Sequence, residues 1–387
     1  MKNKIAIIIG TRPEIIKTAP VIKILDGSEH FQPVVIFTGQ HQSMAFQAFQ
    51  ALNILPDYNL NVMKEGQTPT ELISQLLPSL ENVLKEINPV GAIVQGDTTS
   101  ALAGAISAFH LKIPLAHIEA GLRTNNFSSP FPEEMNRCLI SKMTNLHFCP
   151  TELGEFNLRK EGFKENTFVV GNTVVDSLKL IQPILEKKIG ILKEVDDICT
   201  KAKKILLVTG HRRESFEQPL RNLCKTLANL ANDIPDLHII YPLHLNPHVY
   251  NTVSKELKSR ERVHLLEPLD YINLLYVLKN SSLVVTDSGG IQEEAPSFGV
   301  RVLVTRNITE RPEAIQAGCS EIISLLDANK LYQRAYSELT SPSDFPKIKG
   351  NPYGDGTAAN KILSILETNW SANETNLQQL RSANRNR

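Results

Sequence analysis

The segment from Val284 to Glu294 carries the strongest indication of chemistry in this chain. It reads VVTDSGGIQEE: an apolar strand pattern, a turn of Ser288, Gly289 and Gly290, and a helix with early acids. Backbone N–H groups at a helix start bind phosphate well, and glycine lets the phosphate come close. Glu294 lies about a turn later, where its carboxylate can accept hydrogen bonds from ribose hydroxyls. The segment fits half of a nucleotide site, although tight packing of the turn explains it about equally well.

Acidic residues follow two other apolar runs and open a third segment. Asp97 and Glu119 each come directly after a predicted strand, and Glu133 opens a helical pattern. If the three carboxylates converge, they form the kind of group that supplies general acids and bases. Two of them also have an ordinary explanation, because Asp97 could cap a helix and Glu133 could pair with Arg137 four residues later.

Basic residues stand where an anion could be held. Arg12 follows a strand and a glycine turn, and Lys17 lies one turn into the helix that starts there. Cations near a helix start oppose the helix dipole, which favours a role in contacting phosphate or a developing anion. His211 is flanked by two arginines after another strand and suits diphosphate contact or proton donation. His244 ends a further strand, where a histidine is more often structural.

The elements that position these residues form two series of short apolar strands. Continuous apolar strands between helical patterns indicate parallel sheets covered on both faces, and ligands bind at the carboxyl ends of such strands. We therefore predict an α/β protein with two Rossmann-like domains, residues 1–173 and 174–356, and a helix over 357–380 that crosses back onto the first. The predicted strands are Ile5–Ile9, Pro33–Phe37, Ala92–Gln95, Leu115–Ile118, Leu146–Cys149, Thr167–Val170, Ile205–Thr209, His238–Tyr241, Val263–Leu265, Leu283–Thr286 and Val302–Thr305.

Composition narrows the possible partners. A length of 387 residues suits two domains. The 41 basic and 41 acidic residues balance, so no net charge attracts the protein to nucleic acid or to an anionic membrane. No apolar run approaches the roughly 18–20 residues of a membrane span, so we expect a cytoplasmic protein. The five cysteines lack CxxC spacing and the acids lack metal-cage spacing, so we expect no metal. Without a GxGxxG turn or a Walker loop we expect no cofactor.

These segments, taken in order, resemble the non-hydrolysing UDP-N-acetylglucosamine 2-epimerases over about residues 4–365. The resemblance implies a GT-B fold, with two Rossmann-like domains and a UDP-sugar in the interdomain cleft, and a homodimer. The motifs that carry it are Gly10–Glu14, Gln95–Thr99, His117–Arg123, Pro132–Arg137, Gly171–Thr173, Thr209–Ser215, Thr286–Pro296 and Thr309–Glu313.

The resemblance also implies a reaction and a role for each candidate residue. The family interconverts UDP-GlcNAc and UDP-ManNAc by anti elimination of UDP to 2-acetamidoglucal and re-addition, which supplies ManNAc-type sugars for cell-surface polysaccharides. The acid–base candidates are Asp97, Glu119 and Glu133, without a decision on which removes the proton, and His211 assists the diphosphate. The substrate-binding candidates are Arg12, Lys17 and Arg137 for negative charge, Ser288, Gly289 and Gly290 for phosphate, Glu294 for ribose, and Arg311.

Many relatives bind a second UDP-GlcNAc as an activator, and this chain matches that pocket only in part. Ser43 and Gly66 stand where those relatives often carry Gln and Arg, so a planar donor and a phosphate-matching guanidinium are lost. We therefore expect weak or absent activation. The matching positions are Gln40, His41, Gln67, Glu134, Arg212 and His244.

Four alternatives stay open from the sequence. A hydrolysing epimerase would release free ManNAc and UDP, but relatives of that kind usually carry Gly-Ser-Arg in place of Gly10-Thr11-Arg12. A relative acting on another UDP-sugar, such as a diacetamido uronate, is a second. A GT-B glycosyltransferase would need an acceptor surface, and a non-catalytic nucleotide-sugar binder would not need Asp97, Glu119 and Glu133 together.

Overall fold

The computed structural model of this protein describes most of the chain, apart from short internal gaps and both ends. The chain divides into two compact units, with boundaries between Leu180 and Ile181 and between Pro352 and Tyr353. The described residues are 2–39, 42–64, 66–210, 218–243, 246–306, 309–341, 348 and 350–370, without the side chains of 42–44 and 248.

The first unit is built on a parallel sheet of seven strands in the order β3-β2-β1-β4-β5-β6-β7. Strands β2 and β3 lie on one side of β1, and β4 to β7 follow on its other side, so the strand order reverses between β1 and β4. In open sheets, ligands bind at the loops that follow the carboxyl ends of such a pair of strands. The strands are β1 Asn3–Ile9, β2 Phe31–Phe37, β3 Tyr58–Asn59, β4 Gly91–Gln95, β5 Leu115–Ile118, β6 Leu146–Cys149 and β7 Thr167–Val169.

Helices cover this sheet because their apolar faces need burial. In α3, for example, Leu72, Leu76, Leu80 and Leu84 recur every four residues and are all buried. The helices of this unit, which include α15 from the end of the described chain, are α1 Arg12–Asp26, α2 Gln42–Leu52, α3 Pro69–Ile87, α4 Thr99–His110, α5 Glu133–Met143, α6 Glu152–Lys160, α7 Thr173–Glu186 and α15 Ala358–Trp370.

The second unit repeats the design with six parallel strands in the order β10-β9-β8-β11-β12-β13. Its strands are β8 Lys204–Thr209, β9 Leu237–Pro242, β10 Val263–Leu266, β11 Leu283–Thr286, β12 Arg301–Val304 and β13 Ser320–Ile322. Its helices are α8 Lys193–Lys201, α9 Gln218–Asp233, α10 Pro247–Leu257, α11 Tyr271–Lys279, α12 Gly289–Glu294, α13 Pro312–Gln316 and α14 Ala328–Thr340, with a 3₁₀ turn at Ala295–Phe298.

The predicted fold class and all eleven predicted strands are confirmed. The side chains from Ile5 to Ile9 are fully buried, as expected of a central parallel strand. Two strands were missed, β3 with two residues and β13 with three, because neither forms an apolar run. Among the described residues, no helix combines the length and the apolar character that crossing a membrane requires.

The helix α15 packs on the first unit, against α1. The carboxylate of Asp176 in α7 accepts the N–H groups of Ala358 (3.3 Å) and Ala359 (2.9 Å) at the start of α15. At its other end, the ring of Trp370 covers Gly91 so closely that a Cβ there would lie 2.5 Å from it. The chain after residue 352 thus completes the core of the first unit.

Candidate functional site

Two of the predicted carboxylates lie at the carboxyl edge of the first sheet. The strands β4 and β5 are neighbours with Gln95 opposite Ile118, so Asp97 and Glu119 leave adjacent strands on the same side. Glu119 has a φ of 68°, in the left-handed region that residues with a side chain rarely adopt. Such backbone outliers concentrate at functional sites, where the surrounding structure holds them.

A buried ion pair holds the Glu119 carboxylate. The ammonium of Lys17, from the second turn of α1, lies 2.5 Å from Glu119 Oε2, and each side chain is only 8% exposed. The side-chain amide of Gln95 donates to the same oxygen. The structure therefore brings a predicted cation and a predicted acid–base residue into contact across two elements that are distant in sequence.

Arg137 in α5 holds the second carboxylate. Its Nε donates to Asp97 Oδ2 at 2.7 Å, and its Nη1 donates to Glu134 Oε2 at 2.9 Å. Glu134 is almost fully buried and also accepts the backbone N–H groups of Thr124 (2.9 Å) and Asn125 (2.8 Å). Burial pushes the pKa of Glu134 upward, but these donors and Arg137 outweigh it and lower the pKa overall.

Arg137 thus contacts a residue in the turn after β4 as well as one in its own helix. The ion pairs that the structure shows for it join Asp97 and Glu134, three residues earlier, instead of the i,i+4 partner that local rules favoured. Glu133 is the first residue of α5 and is half-buried. Glu134 was assigned to the activator pocket, and its buried contacts add a second role that the sequence did not indicate.

Glu14 is a functional candidate that sequence reasoning missed. It is 1% exposed, and its Oε2 accepts the N–H groups of Gly10 (3.2 Å) and Thr11 (2.7 Å) and the Thr11 hydroxyl (2.7 Å). Its Oε1 accepts the hydroxyl of Thr98 at 2.9 Å. Burial raises the pKa of Glu14 to about 7, although these hydrogen bonds lower it. The T-x-x-E spacing of a capping box was the signal that could have revealed it.

His117 supports the turn that carries Asp97. Its Nε2 lies 2.7 Å from the carbonyl oxygen of Gly96, and its ring is buried. Burial lowers the pKa of His117 to about 4 and that of His147, opposite it on β6, to about 3. Both rings are therefore neutral at physiological pH, and His117 donates its proton to the carbonyl.

Arg12 differs from the other two predicted cations of the first unit. It lies at the first position of α1 and is half-buried. Within the ranges that the structure describes, it makes no hydrogen bond or ion pair, whereas Lys17 and Arg137 both contact carboxylates. Its positive charge is available for an anion at the carboxyl edge of the sheet.

The predicted phosphate turn follows β11 in the second unit. The Ser288 N–H donates to the Thr286 hydroxyl at 2.9 Å, and α12 begins at the next residue. A Cβ on Gly289 would lie 2.7 Å from the guanidinium of Arg311, so this glycine lets the arginine pack against the turn. Among the described residues, a Cβ on Gly290 would meet nothing closer than Ser288 Oγ at 4.0 Å, so this second glycine is not closely packed by them.

Two further predicted residues of this unit have specific partners. Arg311 donates to Glu293 Oε1 at 2.7 Å and contacts Glu310, so its charge lies in a buried network behind the glycine turn. Glu294 is buried and accepts the hydroxyl of Tyr271 at 2.9 Å. Tyr271 was not predicted, because nothing in the sequence links α11 to α12.

Several predicted residues lie outside the described part of the chain, as does the side chain of Ser43. Gln67 is described and contacts its own loop, donating to the Val62 carbonyl (3.4 Å) and accepting the Lys64 N–H (3.2 Å). Among the described residues, no group of three or more His, Cys, Asp or Glu could hold a metal ion. The predicted residues outside the described ranges are His211, Arg212, Gln40, His41 and His244.

Two parallel α/β sheets, each with candidate residues at its carboxyl edge, place the chain in the GT-B class. MurG of Acinetobacter baumannii is similar at the level of the fold, with a TM-score of 0.52 and 13% identity over the whole of both chains. A family model described as UDP-N-acetylglucosamine 2-epimerase matches residues 23–367, and the chain belongs to that family. The family predicted from the motifs is confirmed.

Relatives in this family match along almost their full length. A probable UDP-N-acetylglucosamine 2-epimerase of Ralstonia solanacearum is 41% identical over 371 residues, covering 94% of this chain and 99% of the relative. A crystal structure of UDP-GlcNAc 2-epimerase from Neisseria meningitidis, bound to UDP-GlcNAc, has a TM-score of 0.86 and 38% identity. It covers 95% of this chain and all of the solved one.

Proposed function

We propose that this protein interconverts UDP-GlcNAc and UDP-ManNAc without releasing the free sugar. The observation that carries the proposal is the arrangement at the first sheet, where Asp97 and Glu119 are held at one edge by Arg137 and Lys17. Membership of the epimerase family and the UDP-GlcNAc bound to the Neisseria meningitidis protein support the substrate. A binding protein would not require a buried and a partly buried carboxylate–cation pair at that edge.

The chemical difficulty is that C2 of the sugar has no adjacent carbonyl, so its proton is not acidic. In the proposed reaction a carboxylate removes that proton, the electron pair forms the C1=C2 bond, and the C1–O bond breaks with its electrons going to UDP. Re-addition protonates C2 on the opposite face and returns UDP to C1. Asp97, Glu119 and Glu133 share these proton transfers, and His211 assists the diphosphate.

The leaving group needs its own binding contacts. We propose that the turn of Ser288, Gly289 and Gly290 holds the phosphates of UDP, and that Glu294 accepts the ribose hydroxyls. The lack of close packing on Gly290 by the described residues supports this role, because a phosphate can approach the backbone there without meeting their side chains. Arg12 is then the cation available for the charge that develops on UDP. Arg311 packs against this turn at Gly289 and stays a proposed substrate-binding residue.

One experiment separates this proposal from its alternatives: incubation with UDP-GlcNAc in D2O, followed by NMR. UDP-ManNAc that carries deuterium at C2 is the expected product. Free ManNAc would instead indicate a hydrolysing enzyme, and an unchanged substrate would indicate a transferase or a binder. Glu119→Gln is the matched control, because it keeps the shape of the side chain while removing one of the three acid–base candidates.

Activation by a second UDP-GlcNAc is expected to be weak or absent. Gly66 has a φ of 73°, a left-handed conformation that an arginine adopts less readily than glycine, so an arginine would be strained at this position. The rate with UDP-GlcNAc should follow a hyperbola, and UDP-ManNAc should react without added UDP-GlcNAc. A strongly sigmoidal curve would contradict the proposal.

We also propose, from family membership, a cytoplasmic homodimer that supplies ManNAc-type sugars for cell-surface polysaccharides. Light scattering of the purified protein tests the dimer, and loss of ManNAc from surface polysaccharide after gene deletion tests the supply role. A monomer that retains full activity would contradict the first, and unchanged polysaccharide the second.

A further inference from the structure

Within the part of the chain that the structure describes, four hydrogen-bond donors and no cation hold the Glu14 carboxylate. Three of them, the N–H groups of Gly10 and Thr11 and the Thr11 hydroxyl, belong to the turn between β1 and α1. The fourth is the hydroxyl of Thr98, which lies 84 residues further along in the turn between β4 and α4. One buried carboxylate therefore joins the loops of the two central strands.

Capping of α1 does not account for this arrangement. In α3 the equivalent capping box joins Glu71 to Thr68, with the N–H at 2.8 Å and the hydroxyl at 3.0 Å, and it lies exposed on the surface. That box uses one carboxylate oxygen and needs no burial. Glu14 makes the same cap with Oε2 and uses Oε1 for a separate contact with Thr98, whose hydroxyl also accepts the Ala101 N–H as the cap of α4.

The two turns that Glu14 joins carry proposed functional residues. Arg12 is adjacent to Thr11, and Asp97 is adjacent to Thr98. We propose that Glu14 is a positioning residue that fixes the Arg12 turn to the Asp97 turn, so that the cation and the carboxylate keep one geometry during turnover. The inference rests on the proposed epimerase function, in which both residues act on one substrate. Displacement of a reacting group by about 1 Å can cost about 100-fold in rate.

The ionised form of Glu14 is the one that matches its surroundings, because every neighbour donates. Protonation at Oε1 would force the Thr98 hydroxyl to accept a second hydrogen bond instead of donating. The charged groups nearest in sequence on the two joined segments are Arg12 and Lys17 in α1 and Asp97 beside Thr98. Lys17 and Asp97 are already engaged in ion pairs with residues other than Glu14.

Glu14→Gln reproduces the protonated state at every pH. Its amide oxygen can keep the three donors of the first turn, while its NH2 group faces the Thr98 hydroxyl. The control is Glu71→Gln, the same substitution in the exposed capping box of α3. A second test variant, Thr98→Val, removes the other half of the contact.

The kinetic constants should be measured from pH 5.5 to 9 for all four proteins. We expect kcat of Glu14→Gln and Thr98→Val to fall by about 10-fold to 100-fold with KM nearly unchanged. The rise of wild-type kcat around pH 7, where Glu14 ionises, should be absent from Glu14→Gln. UDP affinity should not change, and Glu71→Gln should behave as wild type.

A folded Glu14→Gln protein with wild-type kcat and the wild-type pH profile would overturn the inference. If the wild type shows no epimerisation, the proposed function fails, and the connection that Glu14 makes between the two turns is then tested by unfolding alone. In that case non-additive losses of stability in Glu14→Gln, Thr98→Val and the double variant support the connection between the turns. Additive losses refute it.

Discussion

Replacing Lys17 by methionine tests whether the buried ion pair with Glu119 organises the proposed site. The ammonium lies 2.5 Å from the carboxylate, and both side chains are 8% exposed. Methionine keeps much of the length and packing of lysine but removes its charge. Glu119 then remains buried after losing the Lys17 ammonium, while Gln95 still donates to it.

The expected cost follows from burial. Removing one partner of a buried pair typically costs about 3–5 kcal/mol, because a charge is left without compensation. A matched control exists in Lys85→Met, since Lys85 lies at the same 2.5 Å from Glu81 but the two side chains are 59% and 49% exposed. An exposed pair of this kind contributes only about 0.2–1 kcal/mol. The double variant Lys17→Met with Glu119→Gln should recover most of the loss.

Urea unfolding at pH 7 measures these differences. Trp370 is the only tryptophan of the chain, is 1% exposed and belongs to the same unit as the pair, so its fluorescence reports that unit. Both Lys17→Met and the double variant should lack epimerase activity, although only the first should be strongly destabilised. A cost for Lys17→Met as small as that of Lys85→Met, or no recovery in the double variant, would refute the reasoning.

Three further predictions concern a core contact, the phosphate turn and pH. Gly91→Ala places a Cβ 2.5 Å from the Trp370 ring, so we expect red-shifted fluorescence and a loss of about 1–3 kcal/mol; unchanged emission would contradict the packing. Gly290→Val meets no atom of the described residues closely at its Cβ, so UDP affinity should fall at least about tenfold by calorimetry while the unfolding midpoint stays near wild type. Equal UDP affinity would exclude the turn from the phosphate site. The folded pKa of His117 lies near 4 instead of 6.5, so its contribution to stability is present above pH 6.5 and is lost as pH falls towards 4. His117→Gln should reduce this pH-dependent loss of unfolding free energy by about 3 kcal/mol in urea titrations. An identical loss in the variant would show that another group takes up the proton.

The sequence was sufficient for the strands because burial on both faces leaves a direct mark on composition. It was also sufficient to place Asp97 and Glu119 after neighbouring strands, since parallel strands end on the same side of a sheet. The two strands it missed, β3 and β13, are short, and hydrogen bonding rather than apolar content defines them. The placement of candidate groups at one edge was therefore predictable from local patterns.

The partners of those groups were not predictable in the same way. Lys17 and Glu119 are 102 residues apart, and nothing local distinguishes this lysine from a surface one. Local helix rules favoured Glu133 as the partner of Arg137, but the shown pairs go to Asp97 and Glu134, because the packing of α5 against α4 and β5 decides the contact. Glu14 matched a capping box, a pattern that says nothing about its second oxygen. Which residues pair depends on how the helices and strands pack together. That packing cannot be read from a short segment of the sequence.

The ion pairs at the first sheet also distinguish the three cations that were proposed to stabilise negative charge. Lys17 and Arg137 each have a carboxylate partner before any substrate arrives. Their charge is therefore largely used to hold Glu119 and Asp97 in place, an arrangement that is formed on folding and needs no rearrangement during reaction. Arg12 makes no ion pair within the described residues and begins the helix that also carries Glu14 and Lys17. In the proposed reaction Lys17 and Arg137 chiefly fix the acid–base groups, and Arg12 joins His211 in stabilising the charge that develops on UDP.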